Sequence, residues 1–326
     1  MQAAKSNFEN HHDRLRSSVR VVLLLATGIL ANLGGAQEIG QKTFSTPEAA
    51  GQALYTAARN NDEKTLLEIF GANGKQILYS GDEAEDAQSR TTFLKGYEEM
   101  HRIVQEPDGN VTLYIGAKNW PVPIPLINRG RDWYFDTAAG KQEILFRRIG
   151  RNEISAIEIC RELASAQKEF AHKQHVYAQR IFSGEGKHDG LYWDASGNQV
   201  EESPIGPLVA RAAADGYAVQ RGGAIPYRGY FFRILTTQGN NASGGAKSYI
   251  VNGKMTGGFA FVAYPAEYRL SGVKTFLVSM DGVVLEKDLG KNTAAIASSM
   301  RQFNPDPSWQ NAEGAPSIQL SVVDRR

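Results

Sequence analysis

The sequence predicts an α+β protein: an N-terminal domain of helices and a curved antiparallel sheet, a long connecting helix, and a C-terminal antiparallel β-meander. Three observations carry this reading. Apolar residues recur at helical spacing within 47–102 and again from 152 to about 182. Val111 to Ile115 alternates with a period of two, and 133–136 and several runs within 230–287 read as strands. Asn252-Gly253 and Asp281-Gly282 then separate C-terminal strands, as two-residue hairpin turns do. Helices followed by runs of strands, without regular alternation, point to α+β rather than to a parallel sheet.

The first segment is an export signal. Lys5, Arg14, Arg16 and Arg20 precede an apolar run from Val21 to Leu33, and Gly34-Gly35-Ala36 follows. Thirteen residues, interrupted by Thr27, Gly28 and Asn32, are short for a span that needs about 20. Cleavage is expected after Ala36, which makes the protein periplasmic or secreted. An uncleaved N-terminal anchor is the alternative. No other stretch is long and apolar enough to span a membrane.

Composition narrows the classes further. Of 36 basic and 35 acidic residues, the signal removes four and two, leaving 32 and 33, a net charge of −1. Such a balance supplies no drive toward nucleic acid or anionic lipid. One cysteine, Cys160, excludes an intrachain disulfide, so stability has to come from burial.

Residues 37–45 read as a linker, and the N-terminal domain is expected over 46–150. Ser45 or Thr46 caps a helix from Pro47 to Asn60, with Pro47 and Glu48 in its first turn. A second helix starts at Asn61-Asp62, carries Leu66, Leu67, Ile69 and Phe70, and ends at Gly71 to Gly74. Residues 80–90 are polar and acidic and read as a loop, followed by a helix from Thr91 to Arg102. Val111 to Ile115 alternates as a strand. Asn119 to Ile127 contains Pro121, Pro123 and Pro125 and reads as an edge strand or extended arm. Trp133-Tyr134-Phe135 is a strand core closed by Asp136.

Asn152 reads as the cap of the longest helix, 151–182, whose stripe is Ile154, Ile157, Cys160, Leu163 and Ala164. Ser183 to Pro207 is loop. The C-terminal domain, 183–303, carries strands at Tyr230–Thr237, Lys247–Val251, Gly258–Tyr264, Lys274–Ser279 and Val283–Lys287, then a helix from Thr293 to Phe303. From Asn304 the chain reads as a loosely ordered tail.

Several runs resemble exported bacterial proteins of domain-of-unknown-function family 2950. They include Trp133-Tyr134-Phe135-Asp136-Thr137-Ala138-Ala139-Gly140, Arg148-Ile149-Gly150-Arg151-Asn152-Glu153, Asp189-Gly190-Leu191-Tyr192-Trp193 and Gly229-Tyr230-Phe231-Phe232-Arg233-Ile234-Leu235. Phe259 to Pro265, Gly272 to Phe276 and Lys287 to Gly290 also fit. The resemblance implies export and implies no activity. The N-terminal half alone is weakly similar to the nuclear-transport-factor-2-like cone fold, which implies a curved sheet around helices and a pocket, and which hosts enzymes and binding modules alike.

Chemistry-bearing residues are few. Tyr97, His101, Trp120, Trp133 and Asp136 are the candidates for a cone pocket, where a carboxylate beside a tyrosine in an apolar cavity can move protons. The plainer reading puts Trp120 and Trp133 in the core and Asp136 at a strand end. Glu169, His172 and His175 share a helix face, with His188 as a further candidate, yet a zinc site needs more ligands than they supply. They read as a solvated face, and no metal or other cofactor is expected. Cys160 on an apolar stripe reads as a small hydrophobe rather than a nucleophile. No Gly-x-Ser-x-Gly elbow occurs. Gly239 to Gly245 joins two strands and makes a poor phosphate cradle. Tyr230, Phe232 and Tyr264, with Tyr227, Tyr249 and Tyr268, form a candidate recognition surface, the plain alternative being strand residues that alternate between core and solvent. The reading is a non-enzymatic envelope protein that binds an envelope protein partner. The alternative is a small-molecule-binding, hydrolase-type or isomerase-type protein using the N-terminal pocket.

Overall fold

Thr46 and Pro47 start the first described helix as their chemistry dictates. The Thr46 hydroxyl accepts the Ala49 N–H at 3.1 Å, and α1 runs Pro47–Arg59. The structure, a computed structural model, describes residues 40–193, 202–217 and 226–312. Residues 1–36, where a signal is expected, and the tail beyond 312 lie outside the described residues. The remaining elements are α2 (Glu63–Phe70), α3 (Lys75–Leu78), α4 (Glu83–Glu99), β1 (His101–Gln105), β2 (Val111–Ile115), β3 (Trp120–Pro121), β4 (Leu126–Arg129), β5 (Asp132–Phe135) and α5 (Thr137–Gln174). They are followed by α6 (Gly206–Ala214), β6 (Tyr230–Leu235), β7 (Thr237–Gln238), β8 (Lys247–Ser248), β9 (Ile250–Val251), β10 (Lys254–Met255), β11 (Ala260–Pro265), β12 (Lys274–Ser279), β13 (Val284–Asp288), α7 (Thr293–Ser299), β14 (Gln302–Phe303) and β15 (Gln310–Asn311). The α+β class and the order of helices, sheet, long helix and sheets are those expected from the sequence.

The N-terminal sheet is antiparallel, in the order β1-β2-β4-β5 with β3 paired to β2. Its buried side chains Val111, Leu126 and Phe135 meet Leu54 of α1 and Ile69 and Phe70 of α2. Residues 40–45 are not a free linker. The Gln41 side-chain amide donates to the Ile69 and Phe135 carbonyls at 3.0 and 2.8 Å, and Phe44 bridges to Trp133. The prolines of 119–127 do what their chemistry requires, confining β3 to two residues, yet Leu126 pairs with both Val111 and Phe135 inside the sheet.

The polar stretch 80–90, expected to be loop, is mostly helix. Asp82 caps α4 by accepting the Glu85 N–H at 3.0 Å. The helix then ends at Glu99, and His101–Gln105, assigned to helix in part by the sequence, pairs with β2 as a strand. The cap and acidic first turn are good start signals. Residues 83–92 carry no large apolar side chain, so no stripe accompanies these signals; the residues that pack α4 on the core, Phe93, Leu94 and Tyr97, all come later.

Helix α5 is 38 residues long and starts at Thr137, 15 residues before the expected cap. Asp136 is its cap, accepting the Ala139 N–H at 3.0 Å, rather than the end of a strand. Asn152 and Glu153 are interior residues that tie the helix to the C-terminal sheet. Asn152 Nδ2 donates to the Ser271 carbonyl at 3.0 Å, and Glu153 Oε1 accepts the Val273 and Lys274 N–H groups at 2.8 and 2.9 Å. His175, in the left-handed conformation, ends α5 at Gln174, eight residues before the expected end at Phe182.

The C-terminal sheet has the antiparallel order β15-β13-β12-β11-β6. All six residues of β11 are buried, so both its faces are covered, and α5 and α7 pack against it. Ile157, Cys160, Leu163 and Phe170 of α5 join Leu235, Phe259, Phe261 and Phe276 in this core. The expected strand Lys247–Val251 is split into β8, on β7, and β9, in a hairpin with β10. The expected helix 293–303 stops at Ser299, and Gln302–Phe303 adds to β7 in parallel. Residues 304–312 are not loose: Gln310 and Asn311 pair with β13, and Ala312 is buried.

Candidate functional site

A cavity of about 860 Å³ opens between α4 and the first turns of α5. Its floor is apolar and comes from four helices and the segment between β3 and β4. Leu54 of α1, Leu66 and Phe70 of α2, Ile77 of α3, Ile124 and Ile144 line it. Its size falls in the range of about 300–1,000 Å³ usual for small-molecule sites. The spacing of Ile144, Arg147, Arg148 and Arg151 puts all four on one face of α5, and that face borders the cavity. On the opposite side, Gln88, Ser89, Thr92 and Lys95 of α4 are exposed toward the hollow.

The charged groups at the mouth are tied to one another. Glu85 pairs with Arg151 and, at 3.8 Å, with Arg148, whose side chain is nearly buried. The Tyr217 hydroxyl donates to Asp82 Oδ2 at 2.7 Å. Burial and that hydrogen bond to a carboxylate push the Tyr217 phenol well above its ordinary value. Arg228 donates to Asp215 at 2.8 Å, and Tyr217 meets Tyr227 edge-on at 4.9 Å. Across the rim, Arg147 donates to Glu143 and to the Pro121 carbonyl, both at 2.7 Å, and lies over the Trp120 ring at 5.3 Å. The arrangement fixes the mouth and leaves an apolar hollow behind it.

The five candidate pocket residues do not come together. Trp120 lies on the rim of the large cavity and is 58% exposed, so it is not core. Tyr97 is sandwiched between Tyr55 and His101, with ring centroids at 4.5 and 3.9 Å, and His101 Nδ1 lies 2.9 Å from the Tyr97 carbonyl. Tyr97 and His101 line a separate, smaller hollow of about 340 Å³ beside Ile103 and Leu113. Trp133 sits in β5 against Phe44, and Asp136 is occupied as the cap of α5. No carboxylate–tyrosine pair of the expected kind is formed by these residues.

The candidate recognition surface is corrected as well. Tyr230 is 0% exposed and its hydroxyl donates to the Lys274 carbonyl at 2.9 Å, while Tyr264 is 6% exposed and packs on Phe231. Phe232 is half-buried. Both tyrosines are core because strands β6 and β11 are covered on the face they project from. Cys160 is fully buried, and burial pushes its thiol up to about 12. Glu169 pairs with Lys173 at 3.2 Å, and among the described residues no group of three or more His, Cys, Asp or Glu side chains could hold a metal ion.

Sequence reasoning missed the residues that shape the cavity. The spacing 144, 147, 148, 151 was a legible signal, but it falls before the cap that had been assigned to Asn152. The polar face of α4 left no signal, because a helix facing a hollow carries no apolar stripe.

A family model described as a protein of unknown function (DUF2950) matches residues 41–312, which takes in every element described above. No curated protein and no solved structure matches the chain.

Proposed function

Because the chain belongs to the DUF2950 family, whose description names no activity, its role has to be read from its own residues, and we propose that it is an exported, non-enzymatic module that binds an apolar-bodied small molecule in the cavity beneath α4. The observation that carries this is the cavity itself, large, apolar at its floor and ringed by groups that already satisfy one another. The ion pairs and the Asp82–Tyr217 hydrogen bond favour a fixed mouth over a proton-transfer centre, which needs titratable groups converging on a vacant position. Export rests on the order of charges, short apolar run and small residues in 1–36. The cone-like reading of the N-terminal half belongs to the same proposal. An envelope partner docking through Tyr230 and Tyr264 has no support, since both are core.

Titration with 1-anilinonaphthalene-8-sulfonate (ANS), an apolar fluorescent probe, tests the cavity. Thr92 is exposed and faces it, so Thr92→Trp fills the hollow from α4 without disturbing a packed layer. Saturable fluorescence in the native protein that Thr92→Trp weakens at least about tenfold is the expected result, a loss of near 1.4 kcal/mol. Binding that is absent, or equal in both proteins, overturns the proposal. Fractionation of cells expressing the chain with a C-terminal tag tests export. Recovery in the cytoplasm contradicts it.

A further inference from the structure

We infer that the cavity is built for a facial amphiphile, a compact molecule with one apolar face and one face bearing hydroxyl or similar polar groups. The inference rests on the cavity being a ligand site and goes further by naming the ligand's chemical class. Its basis is the unlike chemistry of the two walls. Leu54, Leu66, Phe70 and Ile124 form an apolar floor, while Gln88 and Thr92 stand on the facing helix. Helix α4 packs on the core through Phe93, Leu94 and Tyr97 in its second half, while Gln88, Ser89 and Thr92 stay exposed beside the cavity. A helix that crosses an apolar floor ordinarily turns an apolar stripe toward it. Here Phe93 is the one large apolar residue that α4 gives the lining, and Glu85, Gln88, Ser89, Thr92 and Lys95 beside it are all polar.

A linear acyl chain fits this hollow poorly. It would lie against the apolar floor but strip water from the Gln88 amide and the Ser89 hydroxyl without replacing their hydrogen bonds, while the Thr92 hydroxyl, which donates to the Gln88 carbonyl, keeps only its acceptor side open. A molecule with polar groups along one side satisfies both walls at once. The polar stretch from Gln88 to Lys95 covers about 10 Å of helix axis at 1.5 Å per residue, which sets the spread of the ligand's polar face. Lys95 at one end of that stretch and Lys118 in the lining also allow the ligand one acidic group. The hydrogen bonds are made in a half-open site, so each contributes on the order of tenfold or less.

Displacement of ANS by two monocarboxylates, cholate and dodecanoate, below their micellar concentrations, separates the ligand classes. Both carry one negative charge, and only cholate gathers hydroxyl groups on one face. Cholate is expected to displace the probe at about tenfold lower concentration. The double variant Gln88→Leu/Thr92→Leu, at two exposed positions, is expected to erase or reverse that preference, and Gln88→Ala/Thr92→Val serves as the second variant should the first fail to fold. Dodecanoate displacing ANS as well as or better than cholate overturns the facial-amphiphile assignment and leaves the cavity reading standing. An unchanged cholate preference in both double variants overturns the role of the α4 face. Failure of ANS to bind, or binding that is indifferent to Thr92→Trp, overturns the cavity reading itself.

Discussion

The Tyr217 hydroxyl donates to Asp82 Oδ2 at 2.7 Å, joining residues 135 positions apart in the chain. Asp82 also caps α4, so one carboxylate fixes the start of the helix over the cavity and anchors it to the segment that follows α6. Removing it takes away a cap and leaves a half-buried phenol without its acceptor. Asp82→Ala is expected to destabilise the protein by about 1–2 kcal/mol. Tyr217→Phe is expected to cost about 1 kcal/mol, the value of the hydrogen bond alone. Urea unfolding of both variants checks the order. Equal stability of Asp82→Ala and the native protein would contradict the anchoring role.

Two glycines of α5 should respond oppositely to alanine. A Cβ at Gly140 would lie 2.6 Å from Ile124 Cγ1, a branched side chain at the cavity floor. Nothing lies within 4 Å of a Cβ at Gly150. Gly150→Ala is therefore expected to stabilise by about 0.5–1 kcal/mol through helix propensity. Gly140→Ala is expected to destabilise by about 1–3 kcal/mol despite the same gain. Thermal unfolding that moves both midpoints upward would refute the close approach of α5 to residue 124.

Glu153 should matter more than its place on a helix surface suggests. Its Oε1 accepts two N–H groups, from Val273 and Lys274, at the start of β12. Glu153→Ala strands both donors and is expected to cost about 2–3 kcal/mol, whereas Glu153→Gln, which keeps one acceptor oxygen, is expected to cost about half as much. Guanidinium unfolding of the pair distinguishes them, and a neutral Glu153→Ala would remove this link between helix and sheet.

Burial pushes the Cys160 thiol up to about 12. A folded value above the unfolded one means that the native state holds its proton more tightly. The stabilisation is complete below the unfolded thiol value, near 8.5, and is lost as pH rises from there toward 12. Tyr217 and Tyr230 are raised in the same direction, chiefly by burial, and add to the loss once pH passes the ordinary tyrosine value near 10. Stability is accordingly expected to fall from about pH 9 upward, with Cys160→Ala losing less of it between 9 and 10. Labelling by Ellman's reagent at pH 8 should require unfolding. Rapid labelling of the native protein would show the thiol to be accessible.

The sequence made some of this legible and hid the rest for identifiable reasons. Strand β12 falls at Lys274–Ser279, the run expected from its Phe-Leu-Val core before the Asp281-Gly282 turn, and Thr46-Pro47-Glu48 marks the start of α1. Helix α5 was truncated in the reading because Gly140 and Gly150 weaken its first half and Asn152-Glu153 imitates a cap. Both of the latter residues serve tertiary bonds to 271–274 instead. Tyr230 and Tyr264 looked like surface aromatics because nothing in the sequence says that β6 and β11 are covered. The cavity was hidden most thoroughly. It depends on the first half of α4, which carries no apolar stripe and reads as loop until its Asp82 cap and its Glu85 pairs with α5 are seen.

Amide hydrogen exchange along α4, with and without saturating ANS, tests the central claim most directly. Phe93, Leu94 and Tyr97 pack the second half of this helix onto the core, whereas Gln88, Ser89 and Thr92 are exposed beside the cavity, so an occupant would add support to the part they span. Exchange at 85–95 is predicted to slow by about tenfold or more when the probe binds, with β11 and β12 unchanged. Bound probe with unaltered exchange at 85–95 would place the ligand elsewhere and contradict the account.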